Sequence, residues 1–236
     1  MYSKEVNERS PLRVFEKSIH GGLGRGNLGV VISRPGVGKS TFLVGIALDD
    51  LMRERKVLHV SVGDTVDHVR KFYDMTFLEL AKTTGLREAE RVRLHVERRR
   101  HIHSYQPGTF RADRLRDEAR FLREHAEFTP DVLLVDNFPF GDASKEDIGM
   151  IKDLAGELNA EVWLTALSHR ETPKGSSGYP DPVMPFDEWL DVKIYLEPVE
   201  GSIRLRLLKD HENESPGDLM IELDPTTLLL KDRARA

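Results

Sequence analysis

The chain alternates between short continuous apolar runs and longer stretches in which apolar residues recur at helical spacing. The first run, Leu28–Ile32, is rich in β-branched residues. Such runs are apolar towards both faces, as strands buried inside a parallel sheet must be. Lys56–Val62, Asp131–Val135 and Glu161–Leu167 repeat the pattern, and His101–Tyr105 is a further candidate strand. Between them, helices are predicted from Lys39 to about Arg53, from about Val66 to Ala81 and over roughly Leu86–Glu97. Two more are predicted over about Arg111–Glu127, with Thr109 as its cap, and over about Lys145–Leu158. Strands alternating with helices predict an α/β fold with a mostly parallel sheet covered on both faces.

Past residue 168 the pattern changes. Glu171–Pro185 contains Pro173, Gly175, Gly178, Pro180, Pro182 and Pro185, and reads as a long loop. Loops of that length are uncommon unless they serve a function or are disordered. Val192–Leu196, Ile203–Leu208 and Leu219–Leu223 then follow as three closely spaced strands, predicted to extend the sheet edge as antiparallel hairpins. At the other end, residues 1–20 read as a polar N-terminal arm with a short amphipathic stretch at Leu12, Val14, Phe15 and Ile19. The glycine-rich segment Gly21–Gly26 closes it.

Composition narrows the class. A chain of 236 residues suits one large α/β domain, with a core that needs neither disulfide nor structural metal. The absence of cysteine excludes a disulfide scaffold and a thiolate metal site. The polar start carries no signal-peptide pattern and no run approaches the roughly 18 apolar residues of a membrane span, so a cytoplasmic protein is expected. A net charge of −5 argues against the overall basic field of a nucleic-acid binder. Arg87–Arg100 is arginine-rich, but Glu88, Glu90 and Glu97 interleave at pairing distance. That stretch reads as a solvated helix before it reads as a nucleic-acid patch. His101 and His103 alternate along a candidate strand with no third metal ligand evident, and Trp163 and Trp189 read as core.

The chemistry concentrates after the first strand. Ser33-Arg34-Pro35-Gly36-Val37-Gly38-Lys39-Ser40 joins a predicted strand to a predicted helix, the setting a phosphate-binding loop requires. Gly36 and Gly38 let the backbone fold around an anion, and the helix N-terminus adds partial positive charge. Lys39 would reach the β- and γ-phosphates and Ser40 would hold Mg²⁺, so ATP with Mg²⁺ is the expected ligand over Ser33–Thr41. The motif asks for glycine where Ser33 stands. Asp136, at the end of the run Val132–Val135, supplies the carboxylate expected to orient the Mg²⁺ shell.

With both motifs placed, residues 20–225 resemble the ATPase domain of DnaB-type replicative helicases, and more distantly the KaiC and RadA families. The most specific piece is Arg34-Pro35 inside the loop, because DnaB-type loops read [A/G]-R-P-x-x-G-K-[S/T] and also lack the first glycine. Gly21–Gly29 is similar to the shared G-G-L-x-x-G-x-L lead-in. The resemblance implies a RecA-like P-loop core over residues 21–236 with C-terminal antiparallel hairpin strands. Leu167-Ser168-His169-Arg170 resembles the L-S-Q-x-x-R segment, which puts His169 in the place of a γ-phosphate sensor. Leu208-Lys209-Asp210-His211 resembles the K-x-R pair, which implies that Lys209 reaches a neighbouring subunit's ATP. Gly63 stands where the family's catalytic Glu ends the second strand, leaving Asp64 as the candidate base, one methylene shorter and implying slow turnover. His211 stands where the family has Arg, a weaker charge for the same task.

The resemblance also implies self-assembly as a ring, a hexamer first of all, or a filament. Two readings of what turnover drives stay open. One is a DNA-acting motor, with single-stranded DNA held by the 170–186 loop through Arg170, Lys174, Tyr179 and Phe186, although the two aromatics serve equally to anchor the loop. The other is a KaiC-like, nucleotide-switched assembly that regulates a protein partner. No counterpart of the helicases' N-terminal collar domain is seen, so a full replicative helicase is not expected.

Overall fold

The computed structural model describes residues 2–169, 171–213, 219–227 and 229–233. Its elements in chain order are α1 (Ser3–Glu8), α2 (Leu12–Ser18), β1 (Leu28–Ser33), α3 (Lys39–Met52), β2 (Val57–Val62), α4 (Val66–Thr84), α5 (Ala89–Arg99), β3 (Arg100–Tyr105) and α6 (Ala112–His125). There follow β4 (Val132–Asp136), α7 (Lys145–Leu158), β5 (Glu161–Leu167), β6 (Val192–Val199), β7 (Ser202–Asp210), β8 (Ile221–Leu223) and β9 (Leu230–Asp232). The strands form one nine-stranded sheet in the order β3-β2-β4-β5-β1-β6-β7-β8-β9.

From β3 to β6 every pairing is parallel, and β7, β8 and β9 then add antiparallel. β1 is buried along its whole length between β5 and β6, so both its ladders and both its faces are covered. This explains its continuous apolar run. Odd-numbered residues of β1, such as Val31, pack with α3, α4 and α5, and even-numbered ones, Val30 and Ile32, pack in the cluster of α6 and α7. The expected two-layered cover is therefore present.

Residues at the start pack against this core. Val6, Leu12, Phe15 and Ile19 are buried, and Phe15 lies 5.9 Å from both the Phe42 and Trp163 rings. An Arg13–Asp49 ion pair ties α2 to α3.

Three local features qualify the sequence expectations. Thr109 does not cap α6: its hydroxyl donates to the Gln106 carbonyl, and the helix starts at Ala112 after Arg111, which provides no side-chain cap. The strand expected over Leu219–Leu223 is confined to Ile221–Leu223. It is followed by β9, which the sequence did not suggest. The connecting turn is closed by the Asp224 carboxylate, which accepts from the Thr226 and Thr227 N–H groups. The arginine-rich stretch is a solvated helix as expected, with Arg91 on Glu88 and Arg93 on Glu90 and Glu97.

Gly29 and Trp163 are register partners on β1 and β5. A Cβ at Gly29 would stand 2.4 Å from the indole ring, so the strand that carries the loop fits only because this residue has no side chain. Gly29→Ala is therefore expected to destabilise the fold by about 1–3 kcal/mol, the usual range for overpacking. Urea denaturation measures the loss, and adding Trp163→Leu should make the two effects clearly non-additive in a double-mutant cycle.

Candidate nucleotide-binding site

β1 ends at Ser33, and the chain then turns over Arg34–Val37 into α3. Gly38, the residue before the helix, has φ 114° and ψ 26°, a left-handed conformation that glycine adopts at little cost. A Cβ there would also stand 2.9 Å from Leu223 of β8. The first N–H groups of α3 lack intrahelical acceptors and, with the helix dipole, make this end attractive to an anion.

Lys39 is 6% exposed. Its ammonium has one hydrogen-bond contact among the described residues, the Ser33 hydroxyl at 3.5 Å. Burial lowers its pKa, and the charge of Asp136 works in the opposite direction. Ser33, the residue that departs from the glycine of the motif, thus gives the amine a polar neighbour, while its own hydroxyl donates to the Arg34 carbonyl at 2.8 Å. A buried cation at a helix N-terminus, flanked by loop amides, is a site that an incoming phosphate completes.

Across from the loop, Asp136 ends β4 and is 3% exposed. Its Oδ1 accepts from the Thr165 hydroxyl at 2.7 Å and from the Asn137 N–H at 3.0 Å. Both bonds fall on one oxygen, which fixes the carboxylate and leaves Oδ2 for a ligand. Pro35, Gly36, Lys39, Ser40, Asp64 and Asp136 line one cleft of about 440 Å³. An oxygen-seeking cation such as Mg²⁺ suits a hydroxyl facing a carboxylate. Ser40 and Asp136 are the residues that would hold it, and the phosphate loop fits a nucleotide.

Of the remaining loop residues, Gly38 and Thr41 also line the cleft, whereas Arg34 is exposed beside it and Val37 packs against the core. Asp64 reaches the cleft, where its Oδ2 lies 3.5 Å from Asn137 Nδ2. Gly63 before it has φ 101°, so a glutamate at that position would be strained. His169 lies outside the cleft lining; it is exposed, and its N–H donates to the Thr172 hydroxyl at 2.8 Å.

Lys209 is on the far side. Its register opposite Lys193, near the start of β6, puts it towards the end of the sheet away from the loop, with its amine on the Asp187 carbonyl at 2.7 Å. His211 turns inward, with Nδ1 on Asp210 at 2.8 Å and Nε2 on the Leu23 carbonyl at 3.1 Å.

The long loop is folded back on itself. Lys174 and Pro180 form a bridge, and Gly175–Gly178 makes the turn. Tyr179 packs 5.3 Å from Tyr195, and Phe186 is buried next to Phe140, so both aromatics anchor the loop on its own domain. The buried Lys193 pins its second half through Asp181 and Asp187, each at 2.6 Å. Arg170 lies outside the described residues.

Sequence reasoning missed His59, Asn137 and Thr165. The signal for His59 was there: one polar residue inside Val57–Val60, next to Ser61, the register partner of Asp136. Thr165 likewise interrupts an apolar strand.

No protein-family model matches the chain, and no curated protein matches it in sequence. Among solved structures it superposes on the ATPase domain of a DnaB-type helicase, with a TM-score of 0.68 over 90% of this chain and 87% of that one. The two are 13% identical, a level at which the likeness shows the fold alone. The fold is thus that of a RecA-like ATPase domain, with the mostly parallel sheet and C-terminal antiparallel strands expected. No helix among the described residues is long and apolar enough to cross a membrane.

His59 is buried, and desolvation pushes its pKa down to about 4 from an ordinary 6.5. The unfolded chain takes up a proton below about pH 6.5 that the folded one refuses until about pH 4. The stability tied to this group is therefore present above pH 6.5 and lost as the pH falls towards 4, by on the order of 3 kcal/mol. The difference between wild-type and His59→Gln unfolding free energies across roughly pH 4–7 should trace this loss, because glutamine does not titrate.

Proposed function

We propose that the chain binds ATP with Mg²⁺ at the Ser33–Thr41 loop and hydrolyses it as a RecA-like ATPase. The observation that carries the reading is Lys39, a buried ammonium with no carboxylate in contact among the described residues, at the head of a helix and facing Asp136 across the cleft. Likeness to a domain described as an ATPase agrees with it. In this reading Lys39 binds the β- and γ-phosphates, and Ser40 and Asp136 hold the cation, which when bound neutralises charge on the phosphates. Asp64 is placed to orient the attacking water, and the short side chain suits slow turnover. Residues 1–20 act as an arm docked on an ATPase domain that begins at residue 21. The protein works in the cytoplasm.

Lys39→Ala should keep the fold and weaken binding of a non-hydrolysable ATP analogue by at least about tenfold, since a charge-assisted contact is lost. Calorimetric titration reads this directly, and undiminished affinity would sink the assignment.

Between the two readings of what turnover drives, the folded loop favours the nucleotide-switched assembly. Tyr179 and Phe186 are turned inward, the turn at its tip is made of glycine and serine, and Lys174 is the exposed cation of the segment among the described residues. A net charge of −5 agrees. An ATPase rate indifferent to single-stranded DNA fits the switch, and strong stimulation would restore the motor.

Self-assembly belongs to the same proposal. Lys209 is placed too far from its own loop to serve it, so its charge reaches a phosphate only across an interface with a second copy. Such a head-to-tail contact closes a ring, here a hexamer, or extends as a filament. Lys209→Ala protein should bind the analogue normally but hydrolyse poorly, and mixing it with Lys39→Ala protein should restore part of the activity. A monomer that hydrolyses at full rate would remove Lys209 from the site.

A further inference from the structure

His59 stands in the middle of β2, 1% exposed, and still lines the cleft with Lys39 and Asp136. Its Nδ1 lies 3.0 Å from the Tyr73 hydroxyl, whereas its Nε2 is buried with no partner among the described residues. A buried polar atom left unpaired is costly, and such atoms in native proteins call for a reason. Val57, Leu58 and Val60 around it are apolar, so nothing in the strand itself asks for an imidazole.

The hydrogen on this ring can be assigned. Burial keeps the imidazole neutral and the Tyr73 phenol protonated. The Arg100 guanidinium, 4.3 Å from the centre of the Tyr73 ring, further opposes a positive imidazole. The phenol must place its hydrogen on an acceptor, and Nδ1 is the one it meets. Nε2 then carries the ring hydrogen and is a donor. Asp136 Oδ1 is already occupied by Thr165 and Asn137. The cleft therefore holds an unspent donor on one wall and a free carboxylate oxygen on another.

We propose that His59 is a positioning residue of the cleft, whose Nε2–H holds an oxygen bound between Asp136 and the phosphate loop. That oxygen belongs to a phosphate of the nucleotide or to a water ordered by the cation. The inference rests on the nucleotide reading above and adds to it a neutral Tyr73–His59 pair that selects an acceptor without bringing charge.

The test is calorimetric titration with a non-hydrolysable ATP analogue, in Mg²⁺ and again in EDTA, together with thermal melting of the nucleotide-free protein. The His59→Leu/Tyr73→Phe pair removes both partners and should bind about tenfold more weakly in Mg²⁺. Its melting temperature without nucleotide should be no lower than that of the wild type, because the unpaired donor is gone. His59→Gln keeps a donor and should recover most of the affinity. A loss seen in both buffers assigns the oxygen to a phosphate, and a loss confined to Mg²⁺ assigns it to an ordered water. Undiminished affinity in the apolar pair, or an equal loss in the glutamine variant, would overturn the inference while leaving the loop assignment standing. A wild-type protein that binds no analogue overturns both.

Discussion

Burying an ammonium ion without a carboxylate in contact is unfavourable, and Lys39 is held that way by everything around it. The strand that delivers it is covered on all sides, and that strand fits because Gly29 leaves room for Trp163. Leu223, from the antiparallel extension, closes over Gly38 from the other side. A lysine so placed is primed for an anion: binding one satisfies the charge, and the helix end supplies amides for the rest. The same rigidity fixes Asp136 through Thr165 on the neighbouring strand. The two halves of the cleft thus come from strands that are far apart in sequence and that the sheet order brings near each other.

The sheet also separates functions in space. Its loop-bearing end collects the phosphate loop, Asp64, Asp136 and Asn137. The opposite end collects Lys209, Asp210 and His211, tied to the lead-in segment by the His20–Asp210 and His211–Leu23 contacts. An antiparallel β7 is what carries Lys209 away from the loop, since a strand running the other way would have ended beside it. The inward turn of His211 has a plain cause: φ 52° and two hydrogen bonds hold the ring against its own domain.

The long loop illustrates how packing overrides composition. Proline and glycine forbid regular structure there, which the sequence makes plain. That Lys193 on β6 would reach up to Asp181 and Asp187 is invisible in a linear reading, because nothing in an isolated strand lysine announces partners 12 and 6 residues away. The buried ion pair and the Tyr179–Tyr195 contact turn a candidate ligand-gripping loop into a closed hairpin.

What the sequence determined by itself was local and periodic. Continuous apolar runs alternating with helical patterns ask for strands buried on both faces, and the Gly-Lys-Ser triplet between such a strand and a helix belongs at a helix N-terminus, so fold class and phosphate loop were both legible. Tertiary structure alone decided whatever depended on register and on neighbours distant in the chain. Thr109 carries a capping residue's chemistry, yet a nearer carbonyl took its hydroxyl. β9 is too short to carry a period and exists because β8 offers it a ladder. His59 reads as an odd residue in an apolar strand, and only the closure of α4 over β2, which sets Tyr73 on one nitrogen and the cleft before the other, gives it a role. Side-chain chemistry is written in the sequence, but which partner satisfies it is settled by three-dimensional proximity.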